Sequence, residues 1–260
     1  MKTLFHIAGA SVPGTTHTQP GRPGWKNNQD AHICIQTLDM TIGIVADGCG
    51  SGKSSEVGAQ IGVKILATCL QKLFERSLET GTGFHPWHRL EQLLLSHLQI
   101  LAESMGTSLS DTIREYFLFS IVGCVITQET TWIFHCGDGT FALNTKLTQL
   151  GPFPGNAPPY LGYRINDPAA VGFSVLTFKT ENVQSIMLGT DGVDYITDFS
   201  SEMIATWMKR REFFENRDSL RRMLALMNRE RIQDGRLTGG PLQDDTTIIL
   251  IQRKNTEEVP

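Results

Sequence analysis

The spacing of apolar residues changes near the middle of the chain, and this change restricts the fold classes that the chain can adopt. Residues 54–80 and 87–105 carry apolar side chains at every third or fourth position, which predicts two long amphipathic helices. Residues 117–127 and 131–144 are β-rich instead, and the short connection between them indicates a hairpin. Hairpins that are segregated from helices predict an α+β domain, with helices packed on antiparallel sheets.

The remaining pattern fits one domain with an irregular insertion. Short apolar runs predict strands at residues 3–9, 31–36, 41–46, 173–178, 184–190 and 245–252, and longer patterns predict helices at 200–213 and 217–231. Because 260 residues are enough for one large domain, we expect a single domain over residues 1–253. Residues 151–172 are rich in proline and are expected to form a long irregular insertion, and the tail at 254–260 is expected to fray.

Charge and composition exclude several functional classes. The formal net charge is −4, so there is no electrostatic reason to expect a nucleic acid or an anionic membrane as a partner. No apolar run reaches the roughly 18 residues that a membrane span requires, and the first residues are expected to form a strand rather than a signal peptide. The five cysteines include no CxxC pair, which argues against a disulfide framework and a zinc site. We therefore expect a cytoplasmic protein with reduced thiols.

Carboxylates stand where predicted strands begin or end, or in tight turns. These positions are Asp30, Asp47, Asp138, Asp191, Asp244 and Asp245. One Asp-Gly pair after a strand is usually a turn former, but here several separate strands end on aspartate. Ionised carboxylates at the ends of core strands repel one another unless a cation lies among them. Oxygen ligands of this kind favour Mg²⁺ or Mn²⁺, so the pattern predicts a metal site.

Five motifs in order carry a resemblance to a known family. They are Asn28-Gln29-Asp30-Ala31, Val45-Ala46-Asp47-Gly48-Cys49-Gly50-Ser51-Gly52, Gly137-Asp138-Gly139, Leu188-Gly189-Thr190-Asp191-Gly192-Val193 and Asp244-Asp245-Thr246-Thr247. Together they resemble the PP2C-type metal-dependent serine/threonine protein phosphatases. The likeness is greater to the bacterial branch, with its Gln-Asp-Ala first motif and Ala-Asp-Gly-x-Gly-Ser second motif, and it covers residues 7–251.

This resemblance implies a fold and an activity. The implied fold is an α-β-β-α sandwich, in which helix pairs flank two antiparallel sheets. The implied activity is hydrolysis of phosphoserine and phosphothreonine in a phosphoprotein, by water that two Mn²⁺ or Mg²⁺ ions activate between the sheets. A cognate serine/threonine kinase is a further partner that the resemblance suggests. The insertion at 151–172 falls where the family carries a variable flap.

The resemblance also implies roles for individual residues. Asp47 is expected to bridge the two ions, and the Gly48 carbonyl is expected to bind one of them. Asp191 and Asp244 are expected to hold the other ion, and Asp30 to orient water on the metal. Asp30, Asp47, Asp191 and Asp244 are therefore the expected catalytic residues.

Two further assignments concern a third ion and the two aspartates before the last strand. Asp138, with Asp191, is expected to hold a weaker third ion. Asp244 rather than Asp245 aligns with the metal ligand of the family, because the family places Asn or Asp directly after that ligand and an apolar run shortly afterwards.

The chain departs from the family pattern at three positions. Gln29 stands where some relatives carry Glu; its amide oxygen can bind a metal but adds no charge, so it is expected to weaken one metal site. Trp25 stands where relatives often place an arginine that binds phosphate. Lys26 and Arg22 are nearby substitutes, with a solvated surface charge as the alternative for each. Cys49 stands where some relatives have a histidine that is a candidate general acid, so protonation of the leaving group is expected to fall to water on the metal.

Two other functions fit parts of the sequence. Residues 47–54 nearly match the phosphate-binding loop GxxxxGK[ST] between a strand and a helix, which would indicate a nucleotide hydrolase. The single mismatch is Asp47, whose carboxylate would repel a nucleotide phosphate where that loop has glycine. The second alternative is a catalytically weak regulatory binding module with the same fold, and Gln29 and Trp25 favour it.

Overall fold

The computed structural model describes residues 4–18, 27–80, 86–106, 108–229, 231–233 and 236–255. The strands are β1 (Phe5–Val12), β2 (Asp30–Gln36), β3 (Thr41–Gly48), β4 (Phe119–Ile126), β5 (Thr130–Cys136), β6 (Gly139–Leu143), β7 (Lys146–Leu150), β8 (Ser174–Lys179), β9 (Ser185–Gly189), β10 (Arg231–Gln233), β11 (Arg236–Thr238) and β12 (Thr246–Arg253). The α-helices are α1 (Thr15–Thr18), α2 (Ser55–Thr80), α3 (Trp87–Met105), α4 (Leu109–Tyr116), α5 (Ser201–Met208), α6 (Glu212–Glu215) and α7 (Ser219–Met227).

Two five-stranded antiparallel sheets form the centre of the fold. The first sheet has the strand order β2-β3-β4-β5-β8, and the second has the order β1-β12-β9-β6-β7, while β10 and β11 pair separately. The two sheets face each other across an apolar layer that includes Val45 from the first sheet and Leu188 from the second. A Cβ on Gly43 of β3 would lie 3.3 Å from the Ile249 side chain of β12, so the sheets are in close contact at this point.

Helices cover the outer face of each sheet. The first sheet is covered by α2, α3 and α4 through a core that includes Leu66, Leu70 and Leu94, all fully buried. The second sheet is covered by α5, α6 and α7 through a core that includes Ile204 and Leu224. Removal of each such side chain from water contributes roughly 1.5–3 kcal/mol. The predicted α+β class and the α-β-β-α sandwich are both confirmed.

The stretch at 131–144, predicted as one strand, is two strands in different sheets. β5 ends in the first sheet, and β6 begins in the second. The chain turns at Gly137 and Gly139, whose φ angles of 95° and 119° suit glycine and strain other residues. Apolar residues continue through both strands, so the apolar pattern did not reveal the break. Asp138 therefore lies where the chain passes from one sheet to the other, and not inside a strand.

Other predicted elements agree more closely with the structure. The two long helical patterns correspond to α2 and α3, and the predicted hairpin is the antiparallel pair β4 and β5. The helix expected at 200–213 is interrupted, and α5 and α6 are separate helices. β7 was not predicted, because it lies at the edge of the second sheet with mostly exposed side chains and no strong apolar alternation.

The insertion at 151–172 is described throughout, and it contains two short 3-10 turns but no strand or α-helix. Glu91 of α3 holds it in place: its carboxylate accepts hydrogen bonds from Arg164 Nη1 at 2.8 Å and from the Phe173 backbone N–H at 2.5 Å. The single domain over residues 1–253 stays a prediction. The frayed tail also stays a prediction, since residues 256–260 lie outside the described part of the chain. No helix within the described ranges is both long enough and apolar enough to cross a membrane.

Candidate metal centre

Five aspartates meet at one edge of the sandwich, where strand ends from both sheets come together. Asp30 begins β2, Asp47 lies near the end of β3, and the two are register partners in the antiparallel ladder. Asp191 follows β9. Asp138 and Asp244 precede β6 and β12, and both of these strands pair with Gly189, the last residue of β9, through Thr140 and Ile248. The structure therefore brings together the carboxylates that the sequence analysis selected from distant parts of the chain.

Carboxyl groups are concentrated around Asp47. Burial raises the pKa of Asp47 well above its usual range, and further increases come from the neighbouring carboxylates of Asp30, Asp191, Asp244 and Asp138. Burial also raises the pKa of Asp191 to about 7, with further contributions from Asp138 and Asp244. Without a cation, several of these groups are protonated near neutral pH because burial and like charges both disfavour ionisation. A divalent cation would compete with those protons.

Asp30 is buried, and the side chains of Thr190 and Thr247 hydrogen-bond its carboxyl group. Thr190 Oγ1 donates to Asp30 Oδ2 at 2.8 Å, and the same hydroxyl oxygen accepts from the Thr247 backbone N–H at 3.1 Å. Asp30 Oδ1 is also buried but has no hydrogen-bond partner among the described residues. Burial raises the pKa of Asp30 to about 8, and the charge of Asp245 adds to the effect. Thr190 fixes one oxygen of the carboxylate and leaves the other available.

Gln29 is buried beside the same strand end. Its Nε2 donates to Ser55 Oγ at 2.5 Å, and Ser55 Oγ donates to the Cys49 carbonyl at 3.0 Å. The Gly48 backbone N–H donates to the Gln29 carbonyl at 3.2 Å. Gln29 Oε1 is buried with no hydrogen-bond partner in the described part of the chain. The side-chain amide is thus held through its nitrogen, while its oxygen remains available as a ligand.

The two aspartates before β12 have different surroundings. The Asp245 side chain is only 2% exposed. Its Oδ1 accepts a hydrogen bond from the Gly14 N–H at 2.7 Å, and its Oδ2 accepts one from the Gln29 N–H at 2.6 Å. His17 Nδ1 lies 2.9 Å from the same Oδ2. The Asp244 side chain is 40% exposed, and His17 Nε2 lies 3.6 Å from its Oδ1. Asp245 therefore ties α1 to the start of β2, whereas Asp244 remains accessible to a cation.

The loop after β3 is in contact with the insertion. The Cys49 N–H donates to the Leu118 carbonyl at 2.9 Å, and Cys49 Sγ lies 3.2 Å from Ser51 Oγ. The hydroxyl of Tyr160, in the insertion, hydrogen-bonds the Cys49 thiol. Burial raises the pKa of Tyr160, and nearby Cys49 adds to the effect, so Tyr160 is a neutral hydroxyl next to the carboxylate cluster. No local sequence pattern marks Tyr160, His17 or Ser55, because these side chains meet the site only in the fold.

Two sequence hypotheses have different outcomes. The predicted phosphate-binding residues, Lys26 and Arg22, lie outside the described residues, as does Trp25. Their roles therefore stay predictions. The nucleotide-loop interpretation of residues 47–54 loses its structural context, because β3 pairs antiparallel with both β2 and β4. Nucleotide loops of this type follow a strand of a parallel sheet.

A comparison with family sequence profiles decides the family. The profile described as Protein phosphatase 2C matches residues 14–234. The chain belongs to the protein phosphatase 2C family. A comparison with curated protein sequences gave no match.

Solved structures of serine/threonine phosphatases share the fold. Stp1 from Staphylococcus aureus has a TM-score of 0.61 and 15% identity, with 98% of this chain and 97% of that chain covered. The catalytic domain of PstP, solved in complex with two manganese ions, has a TM-score of 0.55 and 14% identity, with 96% and 99% covered. PstP/Ppp from Mycobacterium tuberculosis has a TM-score of 0.51 and 14% identity, with 96% and 99% covered. At these identities the likeness shows the protein phosphatase 2C fold.

The donor set at the strand ends fits a hard divalent cation. Carboxylates, a backbone carbonyl at Gly48 and the amide oxygen of Gln29 are all oxygen donors, which Mg²⁺ and Mn²⁺ prefer. The buried Gln29 Oε1 and Asp30 Oδ1, which lack partners among the described residues, are the specific atoms that a cation or its water would satisfy.

Proposed function

We propose that this protein is a Mn²⁺- or Mg²⁺-dependent phosphatase that hydrolyses phosphoserine and phosphothreonine in a phosphoprotein. The observation that carries the proposal is the cluster of five aspartates at one edge of the sandwich, beside two buried oxygens without partners among the described residues. Membership of the protein phosphatase 2C family supports the same chemistry. The proposal includes a cytoplasmic location and a cognate serine/threonine kinase, and it includes no nucleic-acid or membrane partner.

The proposed ligands divide into overlapping groups. Asp47, the Gly48 carbonyl and the Gln29 amide oxygen would hold one ion. Asp47 would share a second ion with Asp191 and Asp244, and Asp191 would also contribute, with Asp138, to a weaker third site. When bound, divalent cations offset charge on the phosphoryl group and lower the pKa of water, which supplies a nucleophile near neutral pH.

The protein side chains account for the remaining parts of the reaction. Asp30 keeps Oδ1 available to accept a hydrogen bond from the attacking water, because Thr190 holds Oδ2. The attacking water would release one proton to solvent and attack phosphorus in line with the seryl or threonyl oxygen. The phosphorus–oxygen bond to that oxygen would break, and the leaving oxygen would take a proton from a second water at the metal site, which regains it from solvent. No covalent bond to the protein is needed, so the free cysteines have no assigned role.

Hydrolysis of p-nitrophenyl phosphate and of a phosphoserine peptide, each with Mn²⁺ and with EDTA, tests this function. We expect Mn²⁺-dependent turnover of both substrates, abolished by Asp191→Asn and retained in the exposed control Asp39→Asn. If neither substrate is hydrolysed, the result would favour the regulatory binding module. The amide at Gln29, in place of a carboxylate, is the observation that supports that alternative. ATP hydrolysis that depends on Lys53 would favour the nucleotide-loop hypothesis.

A further inference from the structure

A groove of about 410 Å³ lies between α2 and α3, on the side of the helix layer that faces away from the sheets. Two rows of α2 residues line it, each spaced by four positions. Lys64 and Lys72 belong to an exposed row, and Ile65 and Leu73 belong to a half-buried row beside it. Residues four apart lie on the same face of a helix, so the cations and the apolar side chains form parallel lines.

α3 forms the other wall with a similar arrangement. Arg89 and His97 are exposed and eight residues apart, and the half-buried Leu93 lies midway between them. The floor of the groove is therefore apolar, and basic side chains stand on both rims.

The charge of this groove is opposite to that of the whole chain. The described residues that line it include three permanent cations, Lys64, Lys72 and Arg89, and no aspartate or glutamate. The formal net charge of the protein is −4. An apolar groove with cationic rims is complementary to a peptide segment that carries acidic and apolar residues together.

The groove begins near the candidate metal centre because the same helix connects them. Ser55, the first residue of α2, accepts the hydrogen bond from Gln29. At 1.5 Å per residue, Lys64 lies about 14 Å and Lys72 about 26 Å along the helix from Ser55. An extended peptide spans these distances with roughly four to eight residues.

We propose that this groove binds an acidic segment, interspersed with apolar residues, that belongs to the phosphoprotein substrate and lies about four to eight residues from its phosphorylated residue. The apolar residues of the segment contact Ile65, Leu73 and Leu93, and its carboxylates pair with the rim cations. Identification of the occupant as a substrate rests on the proposed phosphatase function. The acidic-peptide chemistry of the groove does not depend on that function.

Two phosphoserine peptides with the same core test the proposal, one of them extended by a segment of Glu, Asp and Leu. We expect the wild-type protein to have a KM for the extended peptide about tenfold lower than for the core peptide, with kcat unchanged. The double variant Lys64→Glu/Lys72→Glu should lose this advantage and keep its turnover of the core peptide and of p-nitrophenyl phosphate. The matched control Lys146→Glu/Lys179→Glu reverses two exposed lysines on β7 and β8 and should keep the advantage.

Direct binding separates this proposal from the proposed function. Fluorescence anisotropy of the labelled extension alone, without phosphate or metal, should show binding that weakens at high salt and is lost in Lys64→Glu/Lys72→Glu. Absence of all hydrolysis would contradict the phosphatase function. The anisotropy measurement would still test whether the groove binds the acidic segment, because it requires no hydrolysis. Equal KM values for the two wild-type peptides, or equal anisotropy for wild type and the double variant, would overturn the proposal. Binding to phosphatidylserine vesicles through Lys64 and Lys72, without binding to the peptide, would overturn it as well.

Discussion

Asp30 and Asp47 are direct register partners across the antiparallel strands β2 and β3. Like charges placed directly opposite each other in a sheet are destabilising, and burial increases the cost. The fold adds Asp191 and Asp244 from the other sheet to the same place, so the arrangement opposes folding unless protons or cations neutralise it.

This repulsion predicts how the stability of the metal-free protein depends on pH. The folded-state pKa values of Asp30 and Asp191 are raised to about 8 and about 7, above the ordinary value of 3.8. The folded state therefore holds protons that the unfolded state releases, and stability falls as pH rises from about 4 to about 8. Burial lowers the pKa values of His32 and His135, which act in the opposite sense below about 6.5. Burial raises the pKa values of Cys34, Cys124 and Cys136 to about 12, so these thiols also lower stability as the pH approaches their ordinary value of 9.0. A comparison between about pH 6.5 and about pH 8 therefore reports mainly on the carboxyl groups.

Thermal unfolding in EDTA measures this effect. We expect the melting temperature at about pH 8 to be lower by about 5 °C than at about pH 6.5, and Mn²⁺ to reduce the difference. A melting temperature in EDTA that is equal or higher at the more alkaline pH would contradict the electrostatic description of the cluster.

Asp47→Asn removes the central charge and keeps the size of the side chain. We expect the melting temperature in EDTA at about pH 8 to rise by several degrees, because repulsion among the carboxylates is relieved. Phosphatase activity with Mn²⁺ should fall by about a hundredfold or more, because the shared ligand is lost. The exposed control Asp39→Asn should change neither quantity. A variant that is both less stable in EDTA and fully active would show that Asp47 has a purely structural role.

Gln29→Glu tests whether the amide limits metal affinity. The added charge should lower the Mn²⁺ concentration for half-maximal activity by about tenfold, since divalent affinity rises with ligand charge. The change also removes the donor to Ser55 Oγ, so Ser55→Ala is the matched control that loses the hydrogen bond without gaining charge. Titration of activity with Mn²⁺ in the three proteins measures the effect. Coincident curves for wild type and Gln29→Glu would mean that residue 29 does not face the metal.

Two arginine–carboxylate ion pairs have the same N–O distance but differ in burial, so they test how burial changes the contribution of an ion pair to stability. Arg164 Nη1 and Glu91 Oε2 are 2.8 Å apart with side chains 22% and 10% exposed, whereas Arg114 and Asp111 are also 2.8 Å apart but 69% and 56% exposed. Arg164→Ala leaves the Glu91 carboxylate largely buried without its cation, so we expect it to cost about 2 kcal/mol of unfolding free energy. Arg114→Ala should cost less than about 0.5 kcal/mol. Urea denaturation of both variants measures these costs, and equal values would show that Glu91 does not anchor the insertion.

The sequence predicted the candidate site best where an aspartate falls at the end of a predicted strand. Asp47 and Asp191 each follow an apolar run and precede glycine, so their positions at one edge could be predicted before any contact was known. The division of 131–144 into β5 and β6 could not be predicted, because apolar residues continue through both strands and only the positive φ values at Gly137 and Gly139 mark the crossing.

Residues that support the candidate ligands were less predictable. Thr190 adjoins Asp191 in sequence, but its hydrogen bond goes to Asp30, which is 160 residues away. Asp245 is similar, since its carboxylate bonds Gly14 and Gln29 from the other end of the chain. Such contacts depend on how the two sheets pack, and a local pattern of residue types contains no record of them.

The central claim is that divalent ions bind among the aspartates at this edge of the sandwich. Anomalous diffraction from crystals soaked in Mn²⁺ measures this directly. We expect strong anomalous peaks on either side of Asp47, one within bonding distance of the Gly48 carbonyl and the other within bonding distance of Asp191 and Asp244. Crystals of active protein with no anomalous peak within bonding distance of Asp47 would contradict it.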